Sequence, residues 1–593
     1  HTLLHHVTGG LLLQVFQLVG IGVALFYYNP KLALVTMIPM PVILAGASTG
    51  SAGDARAWFL ISAPDVVFRD LTFDGTGYAV YQAIRSWGDG LLVEHCAFQN
   101  IRYDLYHGMA VVGYANTTVT GCTFTNIERI GVFLFGAGVT AGEVSGCTYT
   151  GKGAVDGLDY GIELGGGAVA SLTGNSITGC TGVAASDGSG SAGVLITTYF
   201  GGGTTGILNN NALTGNSVGL YMGYDDADAS TVTAFDNDFS GNPEGAAVNT
   251  SLTNRMNASG NWWGSADPAA VAALLFGDID YTPWLAAGTD MGGDPADGFQ
   301  GDFSSLWVDD DSPQAGTAAR IGEALGMVSG STVNLAAGTY EEQVEITEDV
   351  TIQGVGATSV ILSPPILTLF FGTNKPIVYV HGTENAVLKN LKVDGAGRGN
   401  ANYRFCGVGF SNAGGRVESC EIAGVRDTPF SGAQHGVGIY AYNDDGASHA
   451  ITVLGCSIVD FQKTGMALNA SDTTPVTVDI VGNAVVGIGP TGVTAQNGIQ
   501  TWGDRISGKI AFNDVSGIAY TGAGWVATSV LVYYADMLVD NNTITGGHTC
   551  VYGIDADCDI TNNTISVIKS NAYGYGIIAT DPPGAKPAPI VEE

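Results

Sequence analysis

A repeat of about 25 residues is the feature of this sequence that most constrains its fold. The repeat is seen when segments of the chain are aligned on a small residue that lies two positions before an apolar residue. In the first half of the chain the aligned positions are Leu71, Cys96, Cys122, Cys147, Asn175, Asn211, Asn237 and Asn261. In the second half they are Leu391, Cys420, Cys456, Asn483, Asn513, Asn542 and Asn563. Cysteine and asparagine therefore share one structural position.

The period fits one coil of a right-handed parallel β-helix with short strands and Gly or Asn turns. Coils stacked about 4.8 Å apart place the aligned residues in a ladder. Asn suits such a ladder because it tolerates the left-handed conformation and its amide can bond to the Asn above and below. Cys suits it as a small buried hydrophobe. We expect packing at these cysteines, with disulfide or metal binding as the alternatives, since the chain has no CxxC pair.

The amino-acid composition limits the structure and the partners that we expect for this chain. The 593-residue chain contains 88 glycines and only 13% charged residues, which is typical of turns joined to short apolar strands. Its 55 acidic and 21 basic side chains give a formal charge of −34. Such a surface repels phosphate backbones, so we expect no nucleic-acid partner. Divalent cations and uncharged polymers remain possible partners.

Residues 1–47 differ from the rest of the chain in being almost entirely apolar, with Lys31 as their one charged residue. Two apolar stretches, 11–28 and 32–47, are divided by an Asn-Pro pair. This pattern predicts a short α-helical membrane hairpin rather than a signal peptide. The segment "LVGIGVALFYYNPKLALVTMIPMPV" resembles the membrane domain of ATP-binding-cassette exporters. We interpret the segment as a piece joined to an unrelated β-helix, and it is the only expected membrane contact.

Two further segments resemble parts of known β-helix proteins. Residues 317–356 carry a predicted helix with Ile321, Leu325 and Val328 on one face, followed by short strands. They resemble the amino-terminal cap and first coils of pectin-lyase-like proteins, in which a helix covers the open end of the apolar cylinder. The segment "GNWWGSADPAAVAALLFGDIDYTPWL" (260–285) resembles the closing segment of bacterial β-helix repeat proteins.

These resemblances imply an all-β fold of tandem right-handed parallel β-helices, a pectin-lyase-like solenoid preceded by the apolar hairpin. The expected divisions are the apolar hairpin 1–47, a first β-helix 48–285, an acidic linker 286–315 and a second β-helix 316–593. Because bare β-helix ends expose strand edges, the order of cap and closing segment indicates a slice of a longer tandem array.

Enzymatic activity is left open by the motifs. Gly338, Tyr340 and Glu342 match the GxYxE of pectin methylesterases, but the other segments of that active site are missing, so GxYxE is assigned to the cap. Polygalacturonase and alginate epimerase motifs are incomplete or absent. Calcium-dependent lyases need carboxylates and a basic residue in no fixed motif, so a polysaccharide lyase or a glycoside hydrolase acting on an acidic glycan remains the alternative function.

Two sets of residues are candidates for glycan binding. The first set follows a ladder position in each half and combines a cation, a carboxylate and a His-Gly pair: Arg102, Asp104 and His107 in the first half, Arg426, Asp427 and His435 in the second. The second set lies in two "WGD" turns: Trp87 with Asp89, and Trp502 with Asp504. Arg binds carboxylates in a fork and aromatic rings stack on sugars, although ordinary turn packing explains both sets as well.

The acidic loop at Asp225, Asp226 and Asp228 is a candidate calcium site, with solvated turn residues as the alternative interpretation. No cofactor is required by any motif; Ca²⁺ is the possible one. We expect a secreted or cell-surface protein whose solenoid has a structural role and binds a polysaccharide or cell-surface glycan.

Overall fold

The computed structural model describes residues 42–44, 48–293, 297–571, 573–580 and 590–591 of the chain. These residues form two compact units. The first unit ends at Thr231 and includes two short later segments; the second contains Val232–Gly241, Gly245–Gly293 and the chain from Phe299 onward. This division rests on contacts within each unit, whereas the boundary at residue 285 rests on the repeat pattern and stays a prediction.

Three parallel sheets build the first unit, and successive strands pass to each sheet in turn. Sheet A consists of Val42–Leu44, Thr72–Asp74, Ala97–Gln99, Thr123–Thr125, Thr148–Thr150, Ser176–Thr178 and Ala212–Leu213. Sheet B consists of Ala57–Ile61, Gln82–Ser86, Met109–Gly113, Ile130–Phe135, Tyr160–Gly165, Ala192–Thr197 and Val218–Met222. Sheet C consists of Val67–Arg69, Leu91–Glu94, Thr117–Thr120, Gly142–Ser145, Val169–Thr173 and Thr205–Asn209. A 3₁₀ turn, Gly53–Arg56, precedes the first strand of sheet B.

The second unit begins with short strands and a helix. These elements are Thr231–Phe235, which starts at the unit boundary, then Gly245–Asn249, Met256–Asn257, the α-helix Pro268–Ala272, Leu275–Phe276, Ile279–Asp280 and Trp284–Leu285. Strand Trp284–Leu285 pairs antiparallel with Ser305–Val308, which in turn pairs parallel with Thr332–Leu335. The segment expected to be a linker, 286–315, therefore contains a strand of the second unit's sheet.

Three long parallel sheets then complete the second unit. Sheet D continues from Ser305–Val308 and Thr332–Leu335 through Thr351–Gly354, Ala386–Lys389, Gly415–Glu418, His449–Leu454, Val476–Val481, Ile506–Ala511, Asp536–Asp540, Asp557–Thr561 and Ile590–Val591. Sheet E consists of Gly338–Glu341, Ser359–Leu362, Lys392–Asp394, Glu421–Ala423, Ser457–Val459, Ala484–Val486, Asp514–Ser516, Thr543–Gly547 and Thr564–Val567. Sheet F consists of Val344–Ile346, Lys375–His381, Phe405–Ser411, Val437–Asn443, Thr464–Ala470, Asn497–Trp502, Thr528–Tyr533, Thr549–Ile554 and Tyr575–Thr580. The 3₁₀ turn Gly399–Ala401 lies between sheets E and F in sequence.

Each unit is thus a parallel β-helix whose core is filled by stacked side chains. In sheet A the rings of Phe73 and Phe98 stack at 4.6 Å between centroids, and Phe98 stacks on Phe124 at 5.2 Å. Alternate residues of each strand face this core, because successive side chains of a strand point to opposite sides. Among the described residues only two α-helices interrupt the strands.

The repeated Cys and Asn positions form the predicted ladder. The backbone N–H of Cys122 points to Sγ of Cys147 at 3.4 Å, and that of Cys147 donates to Oδ1 of Asn175 at 3.0 Å. In the second unit the N–H groups of Asn483 and Asn513 each donate to the Oδ1 of the next ladder Asn, at 2.9 Å. The nine cysteines of the chain are all buried and unoxidised. The packed-ladder interpretation is confirmed.

One detail of the ladder differs from the prediction. The left-handed residue is not the ladder Asn or Cys but the residue immediately before it, as at His95 (φ 50°), Asn210 (φ 58°) and Asn541 (φ 53°). Gly121 fills the same place (φ 58°) before Cys122. This turn residue directs the chain into the next strand, while the ladder residue is selected for its buried acceptor atom.

The helix expected to cap the second β-helix is present as Arg320–Met327, with Ile321 and Val328 buried and Leu325 half-buried. Glu342 of GxYxE accepts hydrogen bonds from the N–H groups of Ile321, at 3.0 Å, and Gly322, at 3.1 Å. A carboxylate at this position satisfies N–H groups that have no partner within the helix. GxYxE is therefore part of the cap.

The apolar hairpin predicted for residues 1–47 lies outside the described residues except for Val42–Leu44. These three residues form a strand, not a helix, and pair in parallel register with Thr72–Asp74. The exposed edge of sheet A supplies unpaired backbone groups, and Val and Ile favour the extended conformation. No helix in the part of the chain that the structure describes is long and apolar enough to span a membrane.

Candidate functional site

The first predicted residue set does not form a single cluster in the first unit. His107 Nδ1 lies 2.8 Å from Asp104 Oδ1, as predicted, and the His107 ring stacks on Tyr81. Arg102, in contrast, pairs with Glu128, with 2.6 Å between Nε and Oε2. Arg102 and Asp104 both line a shallow groove of about 760 Å³, but each already has a partner within the protein.

The second unit repeats this separation. His435 Nε2 lies 2.9 Å from Asp427 Oδ1, and both side chains are buried. Because Asp427 accepts hydrogen bonds from Ser431 and His435, the pKa of its carboxyl is lowered against the opposing effect of burial. Arg426 pairs with Asp460, with 2.6 Å between Nε and Oδ1. In both units the His-Asp pair closes a turn and the Arg binds a carboxylate one coil further along.

The His-Gly pairs have the same backbone role in both units. The carbonyl of Gly108 accepts the N–H of Arg129, and the carbonyl of Gly436 accepts the N–H of Lys463, at 3.0 and 2.9 Å. Both glycines have positive φ, 121° and 81°, which explains why glycine follows the histidine. Arg129 and Lys463 therefore occupy equivalent positions, each directly before a strand of sheet B or F.

The two "WGD" turns leave their tryptophans partly exposed. Trp87 is 47% exposed and stacks on Tyr114 at 5.5 Å, with the Arg85 guanidinium 4.6 Å from its ring centroid. Trp502 is 37% exposed at the end of its sheet F strand. Asp89 and Asp504 are exposed at these turns. A Cβ on either turn glycine would meet a carbonyl of the preceding coil, which explains why both turns contain glycine.

The predicted calcium loop is not assembled for a cation. Asp228 is buried and accepts hydrogen bonds from Thr197 and Thr198, while Asp225 accepts the N–H of Ala227. Among the described residues, the one group of three acidic side chains whose oxygens lie within 4.8 Å of one another is Asp309–Asp311, not Asp225, Asp226 and Asp228. Asp228 is directed to Thr197 and Thr198 of the neighbouring coil, whereas Asp225 is directed to a backbone N–H of its own turn.

A cleft on the outer face of sheet B contains the residue that sequence reasoning missed. This cleft has a volume of about 590 Å³, and Glu163 lies in its floor. Glu163 alternates with the core residues Ile162 and Leu164, so its side chain points outward, yet it is only 6% exposed. Its neighbours in the adjacent strands are Phe133 and Leu195. Its carboxyl is thus held among apolar side chains, without a hydrogen-bond partner in the described part of the chain.

Burial dominates the protonation of Glu163. Removal from water raises the pKa of its carboxyl from 4.5 to about 7, although the positive charge of Arg129 opposes this effect. The Arg129 guanidinium lies 5.0 Å from the ring centroid of Tyr160, which borders the same cleft. On the rim, Asp187 accepts the N–H of Ser189, and hydrogen bonds from Ser189 lower the pKa of this exposed carboxyl.

A continuous chain of ring contacts runs past this cleft along the first unit. Six rings follow one another at contact distances of 4.9 to 5.5 Å between centroids: Trp87, Tyr114, Phe135, Phe200, Tyr199 and Tyr224. We call these six residues the aromatic array. Four of them are 47 to 62% exposed. Trp87 of the predicted set is its first member, and the last three line the Glu163 cleft.

The second unit carries a related cleft of about 830 Å³ that differs in its charged groups. Lys463 takes the place of Arg129, and Gln500 takes the place of Glu163 in strand register. Gln500 is hydrogen-bonded to Asn497 and Asn469. Trp525 is the most exposed ring of this cleft, at 72%.

One comparison with known proteins, the match to a family model, supports the β-helix fold. The family model described as "Right handed beta helix region" matches residues 60–262. Among solved structures, a PL6 family alginate lyase, AlyGC, is similar at 9% identity, with 90% of each chain covered and a TM-score of 0.18. No curated protein matches this chain. None of these comparisons supports the resemblance of residues 1–47 to exporters. The match over residues 60–262 and the stacked parallel sheets together show an all-β fold of right-handed parallel β-helices.

Proposed function

We propose that this β-helix protein binds a polysaccharide along the aromatic array of its first unit. The observation that carries the proposal is the uninterrupted contact of six rings, four of them substantially exposed, on one face of the solenoid. The array extends over five steps between coils, on the order of 24 Å. Exposed rings in a row offer stacking surfaces to successive sugars of one chain.

Location outside the cell or at its surface is part of the same proposal, because the expected ligand is an extracellular or cell-surface polysaccharide. Cell fractionation with an antibody against the chain tests the location independently of binding.

Isothermal titration with two hexasaccharides, one of β-1,4-linked glucose and one of α-1,4-linked galacturonate, tests the binding function. Tyr199→Ala and Phe200→Ala should each raise Kd about fivefold to tenfold, since loss of a stacked ring costs roughly 1 kcal/mol. Phe512→Ala is the matched control, because Phe512 is 61% exposed but lies in the second unit outside the array. Equal losses in all three variants, or no binding of either sugar to the wild type, would refute the proposal.

A second candidate function is cleavage of the bound glycan. Glu163 and Asp187 line the same cleft, and their environments move the two pKa values apart, to about 7 for Glu163 and downward for Asp187. One protonated and one ionised carboxyl is the arrangement that glycoside hydrolysis uses as acid and base. Reducing-end and unsaturated-product assays on both sugars test it. Activity that disappears in both Glu163→Gln and Asp187→Asn would support hydrolysis.

A further inference from the structure

The Glu163 cleft differs from the rest of the aromatic array because two of its residues, Arg129 and Glu163, can interact with a charged ligand. We propose that this cleft is a subsite for an acidic sugar, in which Arg129 binds the sugar carboxylate and the protonated carboxyl of Glu163 donates a hydrogen bond to it. This inference rests on the glycan-binding function proposed above, and it names the class of sugar that the array selects.

The first argument is that the carboxyl of Glu163 has no partner within the protein. The residue is only 6% exposed, and it borders an open cleft without a hydrogen-bond partner among the described residues. Buried polar groups in folded proteins are nearly always paired. A ligand that brings an acceptor oxygen into the cleft would supply the missing partner, and a sugar carboxylate has two such oxygens.

The second argument is the position of unpaired positive charge. Arg85 and Arg129 both lie against rings that border the array or its cleft, and neither forms an ion pair with any described carboxylate. The chain as a whole has a formal charge of −34. Two uncompensated guanidinium groups on one aromatic surface of so acidic a protein favour an anionic ligand there. Arg binds a carboxylate through two parallel hydrogen bonds, which also fixes its orientation.

The proposal predicts that binding strengthens as pH falls. The other titratable groups that face Glu163 are Arg129, Asp187 and the tyrosines, of which Tyr160, Tyr221 and Tyr224 have pKa values raised further from neutrality. Between pH 6 and 8 Glu163 is therefore the cleft group that changes charge. When it is protonated, the cleft retains the positive charge of Arg129; when it is ionised, its negative charge repels the sugar carboxylate.

The second unit provides an internal comparison. Gln500 replaces Glu163, and its amide is bonded to Asn497 and Asn469. Lys463, in place of Arg129, donates to the carbonyl of Ala495 at 2.5 Å. This cleft has neither a titratable carboxyl nor an unengaged cation, so we place the acidic-sugar subsite in the first unit. Gln500 does not line this cleft, but it shows that the fold accepts glutamine at the strand register of Glu163.

The test is titration of the full chain with hexagalacturonate and with its methyl ester, in which each charged carboxylate is replaced by a neutral ester. For the acid, Kd should rise about tenfold from pH 6 to pH 8, because only the protonated fraction of Glu163 is competent to bind. Binding at pH 8 should take up close to one proton, measured in buffers of different ionisation enthalpy. Kd for the methyl ester should change much less with pH, because a neutral ester is not repelled by ionised Glu163.

Variants separate this subsite from the array. Glu163→Gln should bind the acid with a pH-independent Kd, and Arg129→Ala should lose the preference for acid over ester. Gln500→Ala is the control that leaves both properties unchanged. Wild-type pH dependence in Glu163→Gln, or equal affinity for acid and ester, would overturn the subsite while leaving the array intact. Trp87 belongs to the array but lies outside this cleft. If Trp87→Ala weakens binding of both sugars while the pH and charge tests fail, the subsite is refuted and the proposed function stands; if Trp87→Ala, Tyr199→Ala and Phe200→Ala all bind like the wild type, the proposed function itself is refuted.

Discussion

The guanidinium of Arg102 pairs with Glu128 on the next coil, with 2.6 Å between Nε and Oε2. The other carboxylate oxygen of Glu128 lies 3.0 Å from Nζ of Lys152, whose side chain is only 3% exposed. Glu128 thus neutralises a buried ammonium as well as a surface guanidinium. Replacement by glutamine, Glu128→Gln, should lower the free energy of unfolding by about 3 to 5 kcal/mol, because it removes the carboxylate that is ion-paired with the buried ammonium of Lys152.

Chemical denaturation followed by tryptophan fluorescence measures this loss. The control is Glu94→Gln, which removes the partner of Arg69 in a pair whose guanidinium side is 58% exposed. Solvent screens such a pair, so its loss should cost about 1 kcal/mol or less. Similar destabilisation in the two variants would contradict the role assigned to Glu128.

Replacement of Arg102 and Arg426 by alanine tests the first residue set predicted from the sequence. Both guanidinium groups are already bound to a carboxylate, Glu128 and Asp460, and both are partly exposed. The double variant should therefore lose only about 1 kcal/mol at each site and retain glycan binding. Weaker glycan binding with an unchanged melting temperature would instead support the glycan contact that the sequence predicts for these residues.

The free energy lost on replacing a ladder asparagine should depend on its position in the second unit. Asn513 accepts from the N–H and the side-chain amide of Asn483 and donates to the carbonyl of Ile480, all at 2.9 Å. Asn513→Ala leaves several buried groups without partners and should cost about 3 kcal/mol or more, at 1 to 3 kcal/mol for each group. Thermal unfolding monitored by circular dichroism measures the change.

Asn563 is the control for this prediction. It is half-buried at the last rung of the ladder and accepts from Asn542 in the same way. Because water can replace part of the lost hydrogen bonding there, Asn563→Ala should lower the melting temperature by clearly less than Asn513→Ala. Equal effects would indicate that hydrogen bonding along the ladder does not determine its stability.

The coil period, the ladder and the capping helix could be predicted because each produces a pattern among residues that are close together in sequence. The small residue at Cys122 or Asn513 recurs with every coil, and Ile321 and Val328 lie on one face of one helix. Glu163 could not be found this way, because its burial comes from Phe133 and Leu195, each about 30 residues away, through the register of sheet B. A single acidic residue in the apolar strand "YGIELG" was the available signal.

The same register separated residues that the sequence places together. Arg102 and Asp104 are two residues apart, but the strand that follows brings Glu128 beneath Arg102. Asp104 turns to His107 instead. Local patterns identify which chemical groups a coil carries; the stacking of successive coils decides which of them meet.

The free energy of unfolding of the first unit should depend on pH through the ionisation of Glu163. Its pKa is raised from 4.5 to about 7 in the folded chain, with burial as the main cause. A carboxyl with a raised pKa contributes stability that is complete below pH 4.5 and is lost as pH rises through about 7. The difference between these pKa values corresponds to on the order of 3 kcal/mol. Glu163→Gln cannot ionise, so its unfolding free energy should decline less than that of the wild type over this interval.

Denaturant unfolding at pH 5, 6, 7 and 8 isolates this effect as the difference between wild type and Glu163→Gln. The difference should shift steadily in favour of the variant from pH 5 to pH 7 and level off by pH 8, because Glu163 is then ionised in the folded chain. Asp187→Asn is the control from the same cleft. Hydrogen bonds from Ser189 lower the pKa of Asp187, so it is ionised in folded and unfolded chains throughout this range and its difference from wild type should stay constant. Parallel curves for wild type and Glu163→Gln would mean that the carboxyl is ionised in the folded protein at pH 5, and the proton that the acidic-sugar subsite requires would then be absent.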